Sequence, residues 1–257
     1  TTRPVRVRYL RPVGAPLEKT YTLAPNSRTN IWVDVEEFPG IGQALIDTDV
    51  SAVIESIDAV PIIVERAMYR SNQGRTFNAG HESAGITTPG TRWFLAEGAT
   101  GAYFDLFVLL ANPNGADAQA VVTYLLPDGT VVSRSYIVAA QSRSNIWVDL
   151  EDPRLADTAV STIVTSTNGV PVIVERAMWW PGTSATWHEA HSSPGATTTG
   201  ARWASAEGEV GGTANVAIGQ FTGMRDTGSL NTSVGSGAGG NGSVVTSNTQ
   251  NAAFGAG

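Results

Sequence analysis

The chain repeats itself, and the frame of that repeat limits what it can fold into. Residues 121–149 read VVTYLLPDGTVVSRSYIVAAQSRSNIWVD, and residues 6–34 read RVRYLRPVGAPLEKTYTLAPNSRTNIWVD, an offset of 115. From residue 47 the offset is 110, so that Val60-Pro61-Ile62-Ile63-Val64-Glu65-Arg66-Ala67-Met68 matches Val170-Pro171-Val172-Ile173-Val174-Glu175-Arg176-Ala177-Met178. His81 matches His191, Arg92-Trp93 matches Arg202-Trp203, and Ala96-Glu97-Gly98 matches Ala206-Glu207-Gly208. The drop from 115 to 110 puts five extra residues in the first copy near 37–45, which reads as an insertion in a surface loop. One full period runs from Trp93 to Arg202. The first copy, 1–92, lacks the counterpart of 93–119, and 203–257 begins a third copy and then departs from it.

Within a period the residue pattern predicts strands. The candidates are 93–96, 104–111, 118–126, 130–138, 143–149, 158–166 and 170–179, mostly β-branched runs bounded by Gly, Pro and Asn turns. Pro127-Asp128-Gly129 and Asn168-Gly169 each read as a hairpin turn. Seven short strands in about 110 residues is the size of an immunoglobulin-like sandwich, and no helical period separates them. The expected fold is therefore all-β: tandem immunoglobulin-like sandwiches at 1–92 and 93–202, followed by a Gly/Ser/Thr/Asn-rich tail within 203–257. Residues 209–257 hold 12 of the 28 glycines, the composition of a linker, yet 213–221 and 242–246 have strand character.

Composition removes several classes of function. A net charge of −7 with a single lysine, Lys19, offers no basic stripe for a phosphate backbone or an anionic membrane. The absence of cysteine excludes disulfides and thiolate metal sites. No apolar run reaches the length of a membrane span. Nucleophile-elbow, Walker, zinc-protease and dinucleotide-binding motifs are all missing, so no catalysis and no cofactor are expected.

The residues that invite a chemical reading recur between copies. Glu65-Arg66 and Glu175-Arg176 are strand neighbours whose side chains point to opposite faces. They are expected to form structural ion pairs across strands, with Arg28/Arg143 or Arg92/Arg202 as repeated charges nearby. Trp32/Trp147 and Trp93/Trp203 recur as pairs and are read as repeat core. Tyr69, Trp179, Trp180 and Trp187 differ between copies and are read as exposed aromatics on which a sugar can stack. His188 and His191 have metal-ligand spacing, but Asn78 stands where His188 would be in the first copy. Acidic residues gather at Asp34, Glu36, Glu37, Asp47 and Asp49, and again at Asp149, Glu151, Asp152 and Asp157. Oxygen-rich loops of that kind can hold calcium, though solvated acidic loops are commoner.

Trp93-Phe94-Leu95-Ala96-Glu97-Gly98, Leu109-Leu110-Ala111-Asn112-Pro113-Asn114, the run from Val170 to Met178, and Trp187-His188-Glu189-Ala190-His191 together resemble a tandem β-sandwich repeat of bacterial secreted and cell-surface proteins. The resemblance covers about residues 1–208. It implies an extracellular setting and a scaffold or adhesive role, and it carries no catalytic residues.

The repeat frame sharpens this. A sandwich without its opening strands exposes a groove and an unpaired edge. A strand from the tail of another copy, with Asn215, Val216, Ala217, Ile218, Gly219 and Phe221 as the candidate residues, is expected to fill it and give a head-to-tail filament. The alternatives are a non-polymerising surface spacer and a carbohydrate-binding accessory module.

Overall fold

The computed structural model describes residues 1–72, 75–181, 187, 189–204, 216–218, 232–234 and 252–254. No α-helix occurs among them, and therefore no helix long and apolar enough to cross a membrane. The chain divides into two compact units, Thr1–Thr199 and Gly200–Gly257, so both repeats share the first unit.

The second repeat is complete. Its strands are β6 (Arg92–Leu95), β7 (Asp105–Asn112), β8 (Ala118–Leu125), β9 (Val131–Val138), β10 (Ser142–Trp147), β11 (Ser161–Ser166), β12 (Ile173–Trp180) and β13 (Glu189–Pro194). They form two antiparallel four-stranded sheets, β6-β11-β8-β9 and β10-β7-β12-β13. Alternating residues of both sheets meet in one core: Leu106, Val108 and Leu110 of β7 against Val122 and Tyr124 of β8 and Val164 of β11. Trp93 is the largest side chain in it. Its indole Nε1 donates to the carbonyls of Gly90 (3.1 Å) and Val172 (3.0 Å), so burial leaves no unpaired donor.

Two expectations need correction here. The four-plus-four division and strand order differ from the seven-strand immunoglobulin arrangement, because β13 escapes a search for β-branched runs: its sequence is EAHSSP. Asn168-Gly169 is not a hairpin turn, since β11 and β12 lie in different sheets. Gly169 does take a positive φ of 77°. However, the Asn168 side chain accepts from Gln119 N and donates to Asp117 O, which ties the turn to the start of β8 and carries the chain across to the other sheet. Pro127-Asp128-Gly129 is the predicted hairpin, with Asp128 Oδ1 accepting from Thr130 N at 2.8 Å and Gly129 at φ 85°.

The first repeat keeps a three-stranded sheet, β2-β1-β3, from β1 (Arg3–Leu10), β2 (Leu17–Leu23) and β3 (Ser51–Ser56). It also keeps a separate hairpin of β4 (Glu65–Asn72) and β5 (Arg75–Ala84). These correspond to β8, β9, β11, β12 and β13. The five-residue insertion is not a bare surface loop. Phe38 and Leu45 from it are buried with Val5, Val7 and Tyr9, and the Phe38 ring meets Tyr9 edge-on at 5.8 Å. Where β7 supplies apolar side chains to the second core, this loop supplies them to the first.

Both repeats also share a Tyr–Tyr–Glu arrangement: Tyr9, Tyr21 and Glu36, and Tyr124, Tyr136 and Glu151. Tyr9 and Tyr21 hydroxyls lie 2.7 Å apart, and the Tyr136 hydroxyl donates to Glu151. Burial pushes all four phenols above their ordinary range.

The described residues of the second unit include three short strands, β14 (Val216–Ile218), β15 (Thr232–Val234) and β16 (Ala252–Phe254). They pair in parallel and in register, with Val216 opposite Thr232 and Thr232 opposite Ala252. Each is preceded by Asn and followed by Gly in the sequence, a short repeat inside the Gly-rich tail. The expected strand at 242–246 lies outside the described residues.

Phe38→Ala should destabilise the chain by about 3–5 kcal/mol, as truncation of a buried aromatic does. Ile41→Ala in the exposed part of the same loop should stay within about 0.5 kcal/mol. Urea unfolding of both variants checks this. Equal, small losses would mean that the loop only covers the surface.

Candidate functional site: the open strand positions of the first repeat

The same sequence adopts two structures in the two copies, and the difference outlines a site. Ser142–Trp147 is strand β10, paired along its length to β7, with Asn145 opposite Leu109 and Trp147 opposite Phe107. The matching residues 27–32 form no strand. The first residues of β12, Ile173 and Val174, pair to the other side of β7 at Ala111 and Leu110. Their counterparts in the first copy, within 60–64, are also irregular. β7 is thus the common partner of both segments. In the first copy, among the described residues, no strand pairs with either segment, and both are irregular.

The side chains record the same gap. Trp147 is half-buried against Phe107, whereas Trp32 is 63% exposed. Ile63 is 94% exposed. A second position is open as well: β6 pairs with β11 in the second repeat, but among the described residues no strand pairs with the outer edge of β3.

With no sheet of its own to join, hairpin β4–β5 docks on the second repeat. Arg66 forms an ion pair with Glu175 at 2.7 Å and donates to Ser192 Oγ at 2.9 Å. Arg143 faces Asp49 at 3.4 Å, and Asn145 Nδ2 donates to Asp49 Oδ2 at 2.7 Å. Burial holds the Arg143 guanidinium below its ordinary range, with Asp49 opposing that shift. Arg70 lies 5.3 Å from the Trp187 ring and 6.0 Å from the Trp179 ring. Trp187, Trp179, Trp147 and Phe107 form a continuous ring cluster, and Trp187 Nε1 donates to Asp105 at 2.6 Å.

The predicted site residues are therefore redistributed. Trp93 is core as expected. Trp147 is half-buried in the ring cluster, and Trp32 (63% exposed) and Trp203 (68% exposed) are not core. Glu175 pairs across repeats with Arg66, and Arg176 pairs with Glu97 at 2.7 Å, instead of with Arg28, Arg143, Arg92 or Arg202. Glu65 is exposed and its neighbour Arg66 half-buried, in keeping with opposite faces. Of the candidate sugar platform, Trp179, Trp180 and Trp187 are half-buried by ring packing, and only Tyr69 is exposed.

Several acidic residues of these loops are engaged within the chain. Glu36 pairs with Lys19, Asp152 with Arg134 and Arg154, and Asp149 accepts from Gly101 N and Leu106 N. Among the described residues no three His, Asp or Glu side chains gather as metal ligands. His188 lies outside the described residues. In the candidate assembly strand, Val216, Ala217 and Ile218 form β14, paired to β15 within their own unit, while Asn215, Gly219 and Phe221 lie outside the described residues. The sequence reading missed the pairing of these tail segments with one another.

No family model and no curated protein matches the chain. Among solved structures it is similar to Thermotoga maritima 1070, at 16% identity and a TM-score of 0.38, covering 45% of this chain and all of that one. It is also similar to the Anabaena sensory rhodopsin transducer, at 21% identity and a TM-score of 0.31, covering 36% of this chain and 91% of that one. Overlaps of this quality carry no argument about role.

His81 sits buried at the docked hairpin, edge-on to Trp179 at 6.1 Å, with neither ring nitrogen hydrogen-bonded. Burial, reinforced by Arg66, holds it below the ordinary histidine range. His191 is lowered by burial and Arg176. The unfolded chain thus takes up protons that the folded chain excludes. Stability should be full above about pH 6.5 and fall as pH drops through that value. The urea midpoint should decline from pH 7.5 to pH 5, and His81→Leu should flatten the decline. An unchanged profile in the variant would remove His81 from this account.

Proposed function

We propose that the chain is an extracellular structural protein, a subunit of a surface filament assembled head to tail by strand donation into the first of its tandem sandwich repeats. The observation that carries this reading is the pair of segments, 27–32 and 60–64, that are irregular although their counterparts at 142–147 and 173–174 pair as strands with β7. Unpaired edges of this kind are templates for a further chain. An acceptor at one end and a donor at the other make a heterologous contact, which propagates as a filament. The acidic, cysteine-free composition suits a dispersed exported protein that relies on core burial for stability. A spacer array that does not polymerise is the second reading, favoured by the docking of β4–β5 on the second repeat, which already joins the two copies firmly.

Negative-stain electron microscopy of the full chain beside a chain ending at Thr199 separates the two. Filaments from the full chain and single particles from the shortened one are expected. Single particles from both would overturn the filament and leave the spacer, and glycan screening would then test for a ligand. Filaments from both would place the donor outside the second unit.

A further inference from the structure

We infer that two copies of this chain associate face to face through the outer surface of sheet β6-β11-β8-β9, the side turned away from the core of the second repeat. That surface involves none of the segments on which the filament reading rests.

Strand alternation builds the face. Trp93, Val122, Tyr124 and Val164 point into the core, so their neighbours along each strand point out. Two rows of facing residues cross all four strands: Phe94–Ile163–Thr123–Ser133 and Arg92–Thr165–Val121–Ser135. The Thr123 and Ser133 hydroxyls bond to each other at 3.1 Å. Along β9, Val131 is 55% and Ile137 70% exposed. Among the described residues, Arg92 is the one charged side chain that these strands turn outward. Its guanidinium lies 5.1 Å from the centre of the Phe94 ring.

The first repeat supplies the comparison. The same rows on β3, β1 and β2 read Val53–Arg8–Glu18 and Glu55–Arg6–Thr20, and Arg6 pairs with Glu55 at 3.6 Å. One strand arrangement thus carries a charged outer face in one copy and an almost uncharged one in the other. Covering the first face would strip water from Arg6, Arg8, Glu18 and Glu55, which is costly. Covering the second strands no such charge. The chain carries a net charge of −7, so two copies repel each other over most of their surfaces. The face without acidic groups is where they can meet, and its best match is the same face of a second copy.

A twofold axis running along the strands lays β6 of one copy over β9 of the other, and β11 over β8. Ile163 then faces the partner's Thr123, and the two Arg92 side chains stay at opposite edges, away from each other. Four strands spaced about 4.8 Å apart and about 20–25 Å long cover on the order of 1,000 Å² across the pair. That is the lower end for specific interfaces, so the association is weak and depends on concentration.

Sedimentation velocity of the full chain between about 1 and 300 µM should show a reversible rise towards twice the single-copy mass. Raising the salt to about 0.5 M should strengthen it, because screening weakens the repulsion between two acidic chains and the face has no ion pair to lose. A Val121→Arg/Thr123→Arg variant puts on β8 the arginines that β1 carries at the same positions. It should raise the dissociation constant by about tenfold or more. Both arginines lower the net negative charge, so overall repulsion cannot account for that loss. Ser135→Lys, at an exposed position of β9, should act in the same direction, and urea unfolding of each variant separates lost contact from lost fold. Thr20→Arg/Thr22→Arg, on the outer face of the first repeat, should leave the association unchanged. In a chain that polymerises, the same contact should appear in negative stain as filaments lying side by side, which the Val121/Thr123 variant separates into single filaments of unchanged length. Folded Val121/Thr123 and Ser135 variants that associate as the unmodified chain does would overturn the assignment. So would an unmodified chain that shows neither pairs of copies nor paired filaments over the whole range, whatever becomes of the filament reading.

Discussion

A β-strand is stable only where its backbone N–H and C=O groups find partners, and in this protein one strand supplies partners to two others. β7 stands between β10 and β12 and pairs with both. Its own alternating residues, Leu106, Val108 and Leu110, fill the middle of the second core. In the first repeat the matching segments, 27–32 and 60–64, carry nearly the same sequence but are irregular. Their β propensity is the same in both copies, so propensity alone does not hold them extended. The contrast is an internal control, because both versions sit in the same chain under the same conditions.

The first repeat compensates in two ways. The inserted loop brings Phe38 and Leu45 over the inner face of β1, which keeps Val5, Val7 and Tyr9 dry. Hairpin β4–β5, left without a sheet, packs on the outer face of β12 and β13 through Arg66, Ser83 and His81. The ion pair there is half-buried on both sides. Its value lies less in net energy than in geometry, since a charge left unpaired at that depth would be costly and the hairpin is held to one position. The ring cluster of Phe107, Trp147, Trp179 and Trp187 adds the apolar part of the same outer face.

Much of this was legible in the residues. The repeat, its offsets, the strand-rich character and the central role of Trp93 follow from spacing and alternation. Strand β13 was hidden because Glu189-Ala190-His191-Ser192-Ser193-Pro194 has no apolar alternation and is held by β12 instead. The fate of Trp32 was hidden for the opposite reason: its local sequence is that of Trp147, and rings from elsewhere in the chain, Phe107 and Trp187, cover only Trp147. Equivalence between copies was a sound guide to where a strand can form and a poor guide to burial, which depends on residues far away in the chain. The Tyr9–Tyr21–Glu36 and Tyr124–Tyr136–Glu151 sets were visible as repeated letters, but their convergence depends on how β1 and β2, or β8 and β9, align.

The borrowed docking of β4–β5 has a consequence for the order of events as the chain is made. The first copy leaves the ribosome before the surface that receives its hairpin exists. Arg66 must wait for Glu175 and Ser192, more than a hundred residues later in the sequence. Sheet β2-β1-β3 can form early, because its contacts are local to the first sixty residues. The hairpin can settle only after the second sandwich has closed. Folding therefore runs backwards along the chain at this point, with the later module acting as the mould for the end of the earlier one.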